Sequence, residues 1–255
     1  MSIPVIDSHV TLGRIDHVDV TAEDLVSRMD ATGVDVAVLS PDPRETAVAH
    51  REGHDRLLAL AARFPGRLLA YATANPWYGK QAVSELERAL GAGAVAVKLD
   101  PARQGFQPVE SIVDPLIEVA RQHGVPVYVH TGTPVHATPF QVAALARRFP
   151  DVPFVLGRCG KTDFKADGFA ALAATPNLYG DTAHDFPLTG MSAQLAAAPG
   201  RVVFSSDFPF GEVRHELRRT RDLPVSHDVL SGVLGGTFLG LLPEHVRAAI
   251  SGGTR

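Results

Sequence analysis

Eight short apolar runs, rich in β-branched residues, recur along the chain, and each is followed by a segment with helical spacing. The runs lie at 3–9, 34–40, 68–74, 94–99, 125–130, 152–157, 177–181 and 201–206. Their near-continuous hydrophobicity is typical of strands buried on both faces of a parallel sheet. Eight strand–helix units within 255 residues match the length of a (β/α)8 barrel, the TIM barrel.

The alternative architecture is a doubly wound open sheet. Such a sheet usually carries a glycine-rich phosphate loop after its first strand, and the loop at 9–14 is not of that kind. Helices are predicted at 138–149 and 168–174, and Thr21 with Asp24 resembles a capping box. Three further helices at 212–221, 226–234 and 243–250 follow the last strand and are expected to cover one end of the barrel. We predict a single α/β domain over residues 1–255 with extra C-terminal helices.

Composition excludes several classes of partner. The net charge of −4 gives no basic footprint, so nucleic acid is not an expected partner. No apolar stretch is long enough to cross a membrane. Cys159 is the one cysteine, and no basic or apolar leader pattern opens the chain. A cytoplasmic protein that binds a small molecule is expected.

Ionisable side chains follow six of the eight runs. The carboxyl ends of barrel strands meet at one mouth, where the active sites of such barrels lie. Runs two and three end at Ser40 and Asn75, which are interpreted as ordinary turns. Burying charged groups together is costly unless they pair, bind a metal or bind a charged ligand. The residues at the six ends are Asp7, His9, Lys98, Asp100, His130, Arg158, Lys161, Asp181 and Asp207.

Five motifs around these ends carry a resemblance to a known family. They are Asp-Ser-His at 7–9, Val-Lys-Leu-Asp-Pro at 97–101, Val-Tyr-Val-His-Thr-Gly at 127–132, the stretch 148–160 and Phe-Ser-Ser-Asp-Phe-Pro-Phe at 204–210. In order and spacing they resemble the amidohydrolase-related family, in the branch that includes aminocarboxymuconate-semialdehyde decarboxylase. The resemblance implies a TIM barrel with metal-dependent hydrolase or lyase chemistry. It also implies a possible homodimer.

Three positions depart from the family pattern. Thr11 stands where the family has the second histidine of Asp-X-His-X-His, and Asp100 and Arg158 each replace a further histidine. His9, His130 and Asp207 match the family ligands. They predict a reduced site for one divalent metal such as Zn²⁺, with Asp207 also acting as general base and His130 as a catalytic group. The permanent charge of Arg158 opposes a metal, and Asp100 could offset that charge or replace a ligand.

Two alternatives stay open beside the metal enzyme. In one, no metal is bound, Arg158 anchors an anionic substrate with Lys98 and Lys161, and Asp207 and His130 act as acid and base. This arrangement is similar to the metal-independent lactonase that acts on pyrone dicarboxylates. In the other, the barrel has lost its chemistry. The preferred reading is a hydrolase or lyase, such as a decarboxylase, acting on a small anionic or carbonyl-containing molecule.

Further residues are assigned to the substrate pocket. Asp100 and His184 are expected to line it, with His136 as another candidate, and Trp77 is expected to form an apolar wall. The remaining histidines on predicted helices are expected to be solvated. They are His50, His54, His123, His215, His227 and His245.

Overall fold

Eight parallel strands form one sheet in the computed structural model, which describes residues 3–132, 137–161, 163–184 and 188–253. Their order in the sheet is their order in the chain. The strands are β1 (Ile6–Thr11), β4 (Val36–Ser40), β5 (Leu68–Ala72), β6 (Ala96–Leu99), β7 (Val127–His130), β8 (Phe154–Gly157), β9 (Leu178–Asp181) and β10 (Val202–Val203). An antiparallel hairpin of β2 (Gly13–Ile15) and β3 (Val18–Val20) follows β1.

The sheet closes into a barrel between its first and last strands. Strand β10 is short, and the chain that continues from it supplies the closing hydrogen bonds. The Ser8 amide donates to the Phe204 carbonyl at 3.0 Å, and the Thr11 amide donates to the Phe208 carbonyl at 2.7 Å. A parallel bridge joins Val10 and Phe208. The fold is therefore a TIM barrel.

Helices surround the barrel and pack on the outer faces of the strands. They are α1 (Ala22–Thr32), α2 (Pro43–Ala47), α3 (His50–Arg63), α4 (Lys80–Gly91), α5 (Pro101–Gln104), α6 (Asp114–His123), α7 (Pro139–Arg148), α8 (Lys165–Ala174), α9 (Leu188–Ala197), α10 (Val213–Arg221), α11 (His227–Ser231), α12 (Thr237–Leu241) and α13 (Glu244–Gly253). A π-helical turn, Gly232–Gly236, joins α11 to α12. The Thr21 side chain caps α1 by accepting from the Asp24 amide at 3.1 Å.

The C-terminal helices cover the amino end of the barrel. Phe238 of α12 and Ile250 of α13 pack in one buried cluster with Ile6 and Val36, which begin their strands. The opposite end, where the strands finish, is left for the polar residues. Within the described residues, no helix is both long and apolar enough to span a membrane.

The predicted architecture is confirmed, and its element ends shift by a few residues. All eight predicted strands are present, and the last is reduced to Val202–Val203, beyond which the chain stays bonded to β1 through the Phe204 and Phe208 carbonyls. The helices predicted at 138–149 and 243–250 appear as α7 and α13, and the stretch 226–234 becomes α11 followed by the π-helical turn. The hairpin of β2 and β3 was not predicted. Its three-residue strands are too short to give a periodic signal.

Gly157 in β8 tests the packing inside the barrel. A Cβ atom at this position would lie 2.3 Å from the ring of Tyr128, whose hydroxyl is already fixed by a hydrogen bond to Asp181. We expect Gly157→Ala to lower the free energy of unfolding by about 1–3 kcal/mol, the usual cost of overpacking. Denaturant unfolding followed by circular dichroism measures this.

The matched control is Gly91→Ala at the end of α4, where the added methyl group meets nothing within 4 Å. Its stability should be unchanged or slightly raised, because alanine loses less backbone entropy on folding than glycine. Equal effects of the two substitutions would contradict the close approach of Tyr128.

Candidate active site

A cavity of about 430 Å³ opens at the carboxyl ends of the strands. It contains most of the polar residues predicted to meet there, together with a partly apolar wall. The lining residues are His9, Thr11, Pro41, Pro43, Thr46, Lys98, Asp100, Ala102, Arg103, His130, Arg158, Asp207 and Phe210.

The Asp207 carboxylate is the centre of this cavity. It is fully buried, and one of its oxygens, Oδ2, accepts from Arg158 Nε at 2.8 Å and contacts His184 Nε2 at 2.9 Å. Arg158 Nη2 lies 2.5 Å from the same oxygen. Burial alone would raise the pKa of Asp207, but the contacts with His184, His9 and Arg158 hold that pKa well below its usual range. Asp207 is therefore a permanent carboxylate and a weak base.

The backbone presents Arg158 to Asp207 in an unfavourable conformation. Arg158 follows β8 with φ 60°, and Cys159 continues the left-handed turn with φ 47°. The turn is held because the Arg158 amide donates to Asp181 Oδ1 at 2.8 Å. The guanidinium group lies 5.4 Å from the centre of the Phe210 ring.

His9 is fixed from below by a stacked tyrosine. Its ring lies parallel to the ring of Tyr128 at 4.5 Å, and the Tyr128 hydroxyl donates to Asp181 Oδ2 at 2.9 Å. His9 Nδ1 lies 3.0 Å from Asp207 Oδ1 but without the geometry of a hydrogen bond. Burial, with the nearby Lys98, lowers the pKa of His9 to about 4. The imidazole is therefore neutral near pH 7.

Lys98, Asp100 and Arg103 form the opposite side of the cavity. Lys98 Nζ donates to Ser40 Oγ at 2.7 Å, and Asp100 Oδ2 lies 3.3 Å from Arg103 Nε. The Asp100 amide donates to the side chain of Gln104 at 2.9 Å, which fixes the start of α5. Burial alone would raise the pKa of Asp100, but electrostatic interactions with His130, Lys98 and Arg103 outweigh burial and lower it.

His130 ends β7 beside this group. Its Nδ1 atom is buried and has no hydrogen-bond partner within the described residues. Burial is the main cause that lowers the pKa of His130 to about 3, so its imidazole is neutral. A neutral imidazole offers one donor and one acceptor to a bound molecule.

The sequence matches the amidohydrolase family model over residues 9–254. The chain belongs to the amidohydrolase family. No curated protein matches it. Among solved structures, this chain is similar to 5-carboxyvanillate decarboxylase from Sphingomonas paucimobilis, with a TM-score of 0.76 and 15% identity, covering 94% of this chain and 99% of that one.

Two further decarboxylases have the same fold. Dihydroxybenzoic acid decarboxylase from Polaromonas sp. JS666, with bound manganese and 2-nitroresorcinol, has a TM-score of 0.75 and 17% identity, covering 94% of this chain and 96% of that one. The 2,6-dihydroxybenzoate decarboxylase from Rhizobium has a TM-score of 0.73 and 17% identity, covering 94% and 98%. At this identity the likeness concerns the fold.

The three residues predicted to bind a metal are not arranged as a metal site in this chain. In the described part of the chain, no group of three or more His, Cys, Asp or Glu side chains is positioned to hold a metal ion. The family histidine positions at 11 and 158 hold a threonine and an arginine, and the Arg158 guanidinium lies on Asp207 Oδ2. A cation beside a positive charge that already occupies its carboxylate ligand is repelled. The combination of His9, His130 and Asp207 does not fit a divalent metal.

Several of the other predicted site residues lie elsewhere. Trp77 is 60% exposed, its indole donates to the Gly105 carbonyl, and it is not among the lining residues of the cavity. Lys161 Nζ donates to the Ala183 carbonyl at 2.8 Å and is not among the lining residues. Asp100 pairs with Arg103 rather than with Arg158. His184 contacts Asp207 as described, and His136 lies outside the described residues.

Two of the histidines expected to be solvated are buried on the inner face of α3. His50 and His54 are 7% and 1% exposed, and His54 Nδ1 lies 2.7 Å from Glu85 Oε1. The cavity also contains residues that the sequence did not single out, namely Pro43, Thr46, Ala102 and Arg103. Ser40, interpreted as a turn residue, is the hydrogen-bond partner of Lys98. The position of Ser40 at the carboxyl end of β4 could have indicated that it belongs to the mouth of the barrel.

Asp7 in β1 gives a pH-dependent stability. It is 1% exposed, its Oδ1 accepts from the Ser206 amide at 2.9 Å, and its Oδ2 has no partner among the described residues. Burial raises its pKa from 3.8 to about 7, so between these values the folded protein holds a proton that the unfolded chain releases. Its contribution to stability therefore falls as pH rises from about 4 to about 7, by about 1.4 kcal/mol per pH unit at most.

We expect Asp7→Asn to remove this component, so that the variant gains stability relative to the parent as pH rises towards 7. Urea unfolding at several pH values measures the difference. Asp19→Asn, which removes an exposed carboxylate in β3, is the matched control. A pH-independent difference for Asp7→Asn would contradict the raised pKa.

Proposed function

We propose that the barrel mouth is the active site of a metal-independent lyase acting on a small carboxylic acid. The observation that carries this proposal is the guanidinium group of Arg158 bound to Asp207 inside the cavity. The arginine stands at a position where the family motif has a histidine. It supplies a permanent positive charge to a site formed by the same strand ends.

The charges of the cavity suit an anionic substrate. Three of its lining side chains are basic, Lys98, Arg103 and Arg158, and two are acidic, Asp100 and Asp207. Arg158 contacts Asp207 through Nε and Nη2, which leaves Nη1 for another acceptor. Arg103 is about half exposed and can turn a guanidinium edge to the cavity. Arginine binds a carboxylate well because its donors form a planar fork.

Lyase chemistry fits the protonation states better than hydrolysis does. Hydrolysis requires a base that activates water, and the pKa of Asp207 is held too low for that role. Cleavage of a bond to a carboxylate instead leaves an electron pair on the substrate. Fixed positive charge and N–H donors stabilise that pair. The structural relatives are decarboxylases of aromatic acids, which supports the same reaction class.

Backbone strain at the mouth argues against a barrel that has lost its chemistry. Arg158, Cys159, His184 and Asp207 all have positive φ angles, between 47° and 60°. A left-handed residue other than glycine costs about 1–2 kcal/mol. Three of these side chains belong to one contact group around the Asp207 carboxylate. Strain concentrated on contacting polar residues is typical of functional sites.

The first test concerns the metal. We expect that neither manganese chloride nor a chelator shifts the melting temperature of the purified protein, because a ligand that binds the folded state would raise it. Differential scanning fluorimetry measures the shift, and elemental analysis measures the bound metal. Stoichiometric metal, with a thermal shift lost in His130→Ala, would contradict the proposal.

The second test concerns the arginine. We expect Arg158→Met to weaken the binding of benzoate, a simple carboxylate probe, by about tenfold or more, because a charged hydrogen bond contributes about 1.5–3 kcal/mol. Isothermal titration calorimetry measures the affinity. Arg148→Met is the control, since Arg148 makes a similar ion pair with Asp114 on the outside of the barrel at 2.6 Å. Equal affinities of the Arg158 variant and the parent would refute an arginine-anchored site.

A further inference from the structure

Lys98 is a buried amine that forms no ion pair with a carboxylate within the described residues. It lies in β6, is 4% exposed and lines the cavity. Its hydrogen-bond partner within the described residues is a neutral hydroxyl, Ser40 Oγ, at 2.7 Å. The two carboxylates of the cavity are engaged elsewhere, Asp100 by Arg103 and Asp207 by Arg158. Both carboxylates thus form their ion pairs with arginines and not with Lys98.

These surroundings raise the fraction of neutral amine above that of an exposed lysine. Burial is the largest cause that lowers the pKa of Lys98, to about 8; the carboxylates of Asp100 and Asp207 oppose it, and the charges of Arg103 and Arg158 act in the same direction as burial. Ser40 Oγ accepts a hydrogen bond from the amine and donates one to the Pro41 carbonyl at 3.2 Å. The nitrogen lone pair is therefore not used by this contact. A desolvated lysine beside other cations is a known form of an activated amine nucleophile.

We propose that Lys98 forms an imine with the carbonyl group of a small oxo acid whose carboxylate is held by Arg103 or Arg158. This inference rests on the proposed lyase function and names its substrate class and its nucleophile. The apolar part of the cavity, formed by Pro41, Pro43 and Phe210, would hold the carbon chain. The amine of Lys98 and the guanidinium groups of Arg103 and Arg158 line the same cavity.

The chemical step balances without any cofactor. The Lys98 nitrogen attacks the carbonyl carbon, the carbonyl oxygen takes up protons and leaves as water, and a protonated imine remains. With a 3-oxo acid, the bond to the carboxylate then breaks, carbon dioxide leaves, and the electron pair moves to the iminium nitrogen to give an enamine. Protonation of the enamine at carbon and addition of water release the ketone and restore the amine. The imine serves as the electron sink that a metal would supply in other sites.

The experiment is reductive trapping with sodium cyanoborohydride on the whole protein. The probes are acetoacetate and pyruvate, at a pH near 7.5, followed by peptide mapping with mass spectrometry. The chain has four lysines, Lys80, Lys98, Lys161 and Lys165, so each adduct can be assigned. Triglycine in the same tube provides an amine with a pKa of about 8 and no cavity.

We expect at least one probe to label Lys98 about tenfold or more faster than exposed Lys80, because a lysine at its ordinary pKa of about 10.4 has far less free amine. Labelling of Lys98 should also exceed that of triglycine, since the arginines concentrate the anion. Arg158→Met should reduce the labelling of Lys98, and Lys80→Arg should leave it unchanged. An isopropyl adduct from acetoacetate would show that carbon dioxide leaves before reduction.

Two results would overturn the imine. One is labelling of Lys98 no faster than that of Lys80 or triglycine with either probe, in protein that binds benzoate. In that case the arginine-anchored site stands and only the imine fails. The other is adduct formation that persists unchanged in Lys98→Met on the remaining lysines. Loss of benzoate binding in the parent protein would instead count against the proposed function itself.

Discussion

The ion pair of Arg158 and Asp207 organises the mouth of this barrel. Asp207 stays ionised although it is fully buried, because the guanidinium group and two imidazoles surround its carboxylate. A buried charge without such partners costs several kcal/mol, so the pair and its neighbours must be kept together. The arginine in turn is held through its backbone amide by Asp181, which also accepts from Tyr128 under His9. One chain of contacts thus links Asp207 through Arg158, Asp181 and Tyr128 to His9.

The fold could be predicted from the sequence because its signal is repeated. Eight buried strands with helices between them leave few architectures, and chain length selects the closed barrel. The family motifs also placed His9, His130, Arg158 and Asp207 at one mouth, and all four line the cavity. The sequence likewise indicated that Thr11 and Arg158 weakened the metal site. The order of strands, helices and motifs predicts which residues lie together, because the carboxyl ends of the strands of a barrel converge.

Pairing between side chains could not be predicted in the same way. Asp100 was a candidate partner of Arg158, yet it forms its ion pair with Arg103, which lies three residues further on in α5. Trp77 follows a strand but turns outward to the loop at Gly105. His50 and His54 are buried because a barrel helix has an inner face, and a polar residue there finds a partner such as Glu85. These outcomes depend on distances between elements, which strand order alone does not contain.

The barrel closes through contacts between two parts of the chain that are distant in sequence and that also form the mouth. Ser206 and Asp7 are 199 residues apart, and their hydrogen bond lies beside the Asp207 group. The closing strand and the ion-pair partner of Arg158 therefore arrive together, after the other strands of the sheet. A growing chain can form most of the sheet earlier, but the charged cavity has no central carboxylate until residue 207 is available. The carboxylate that organises the mouth is thus made together with the residues that close the barrel.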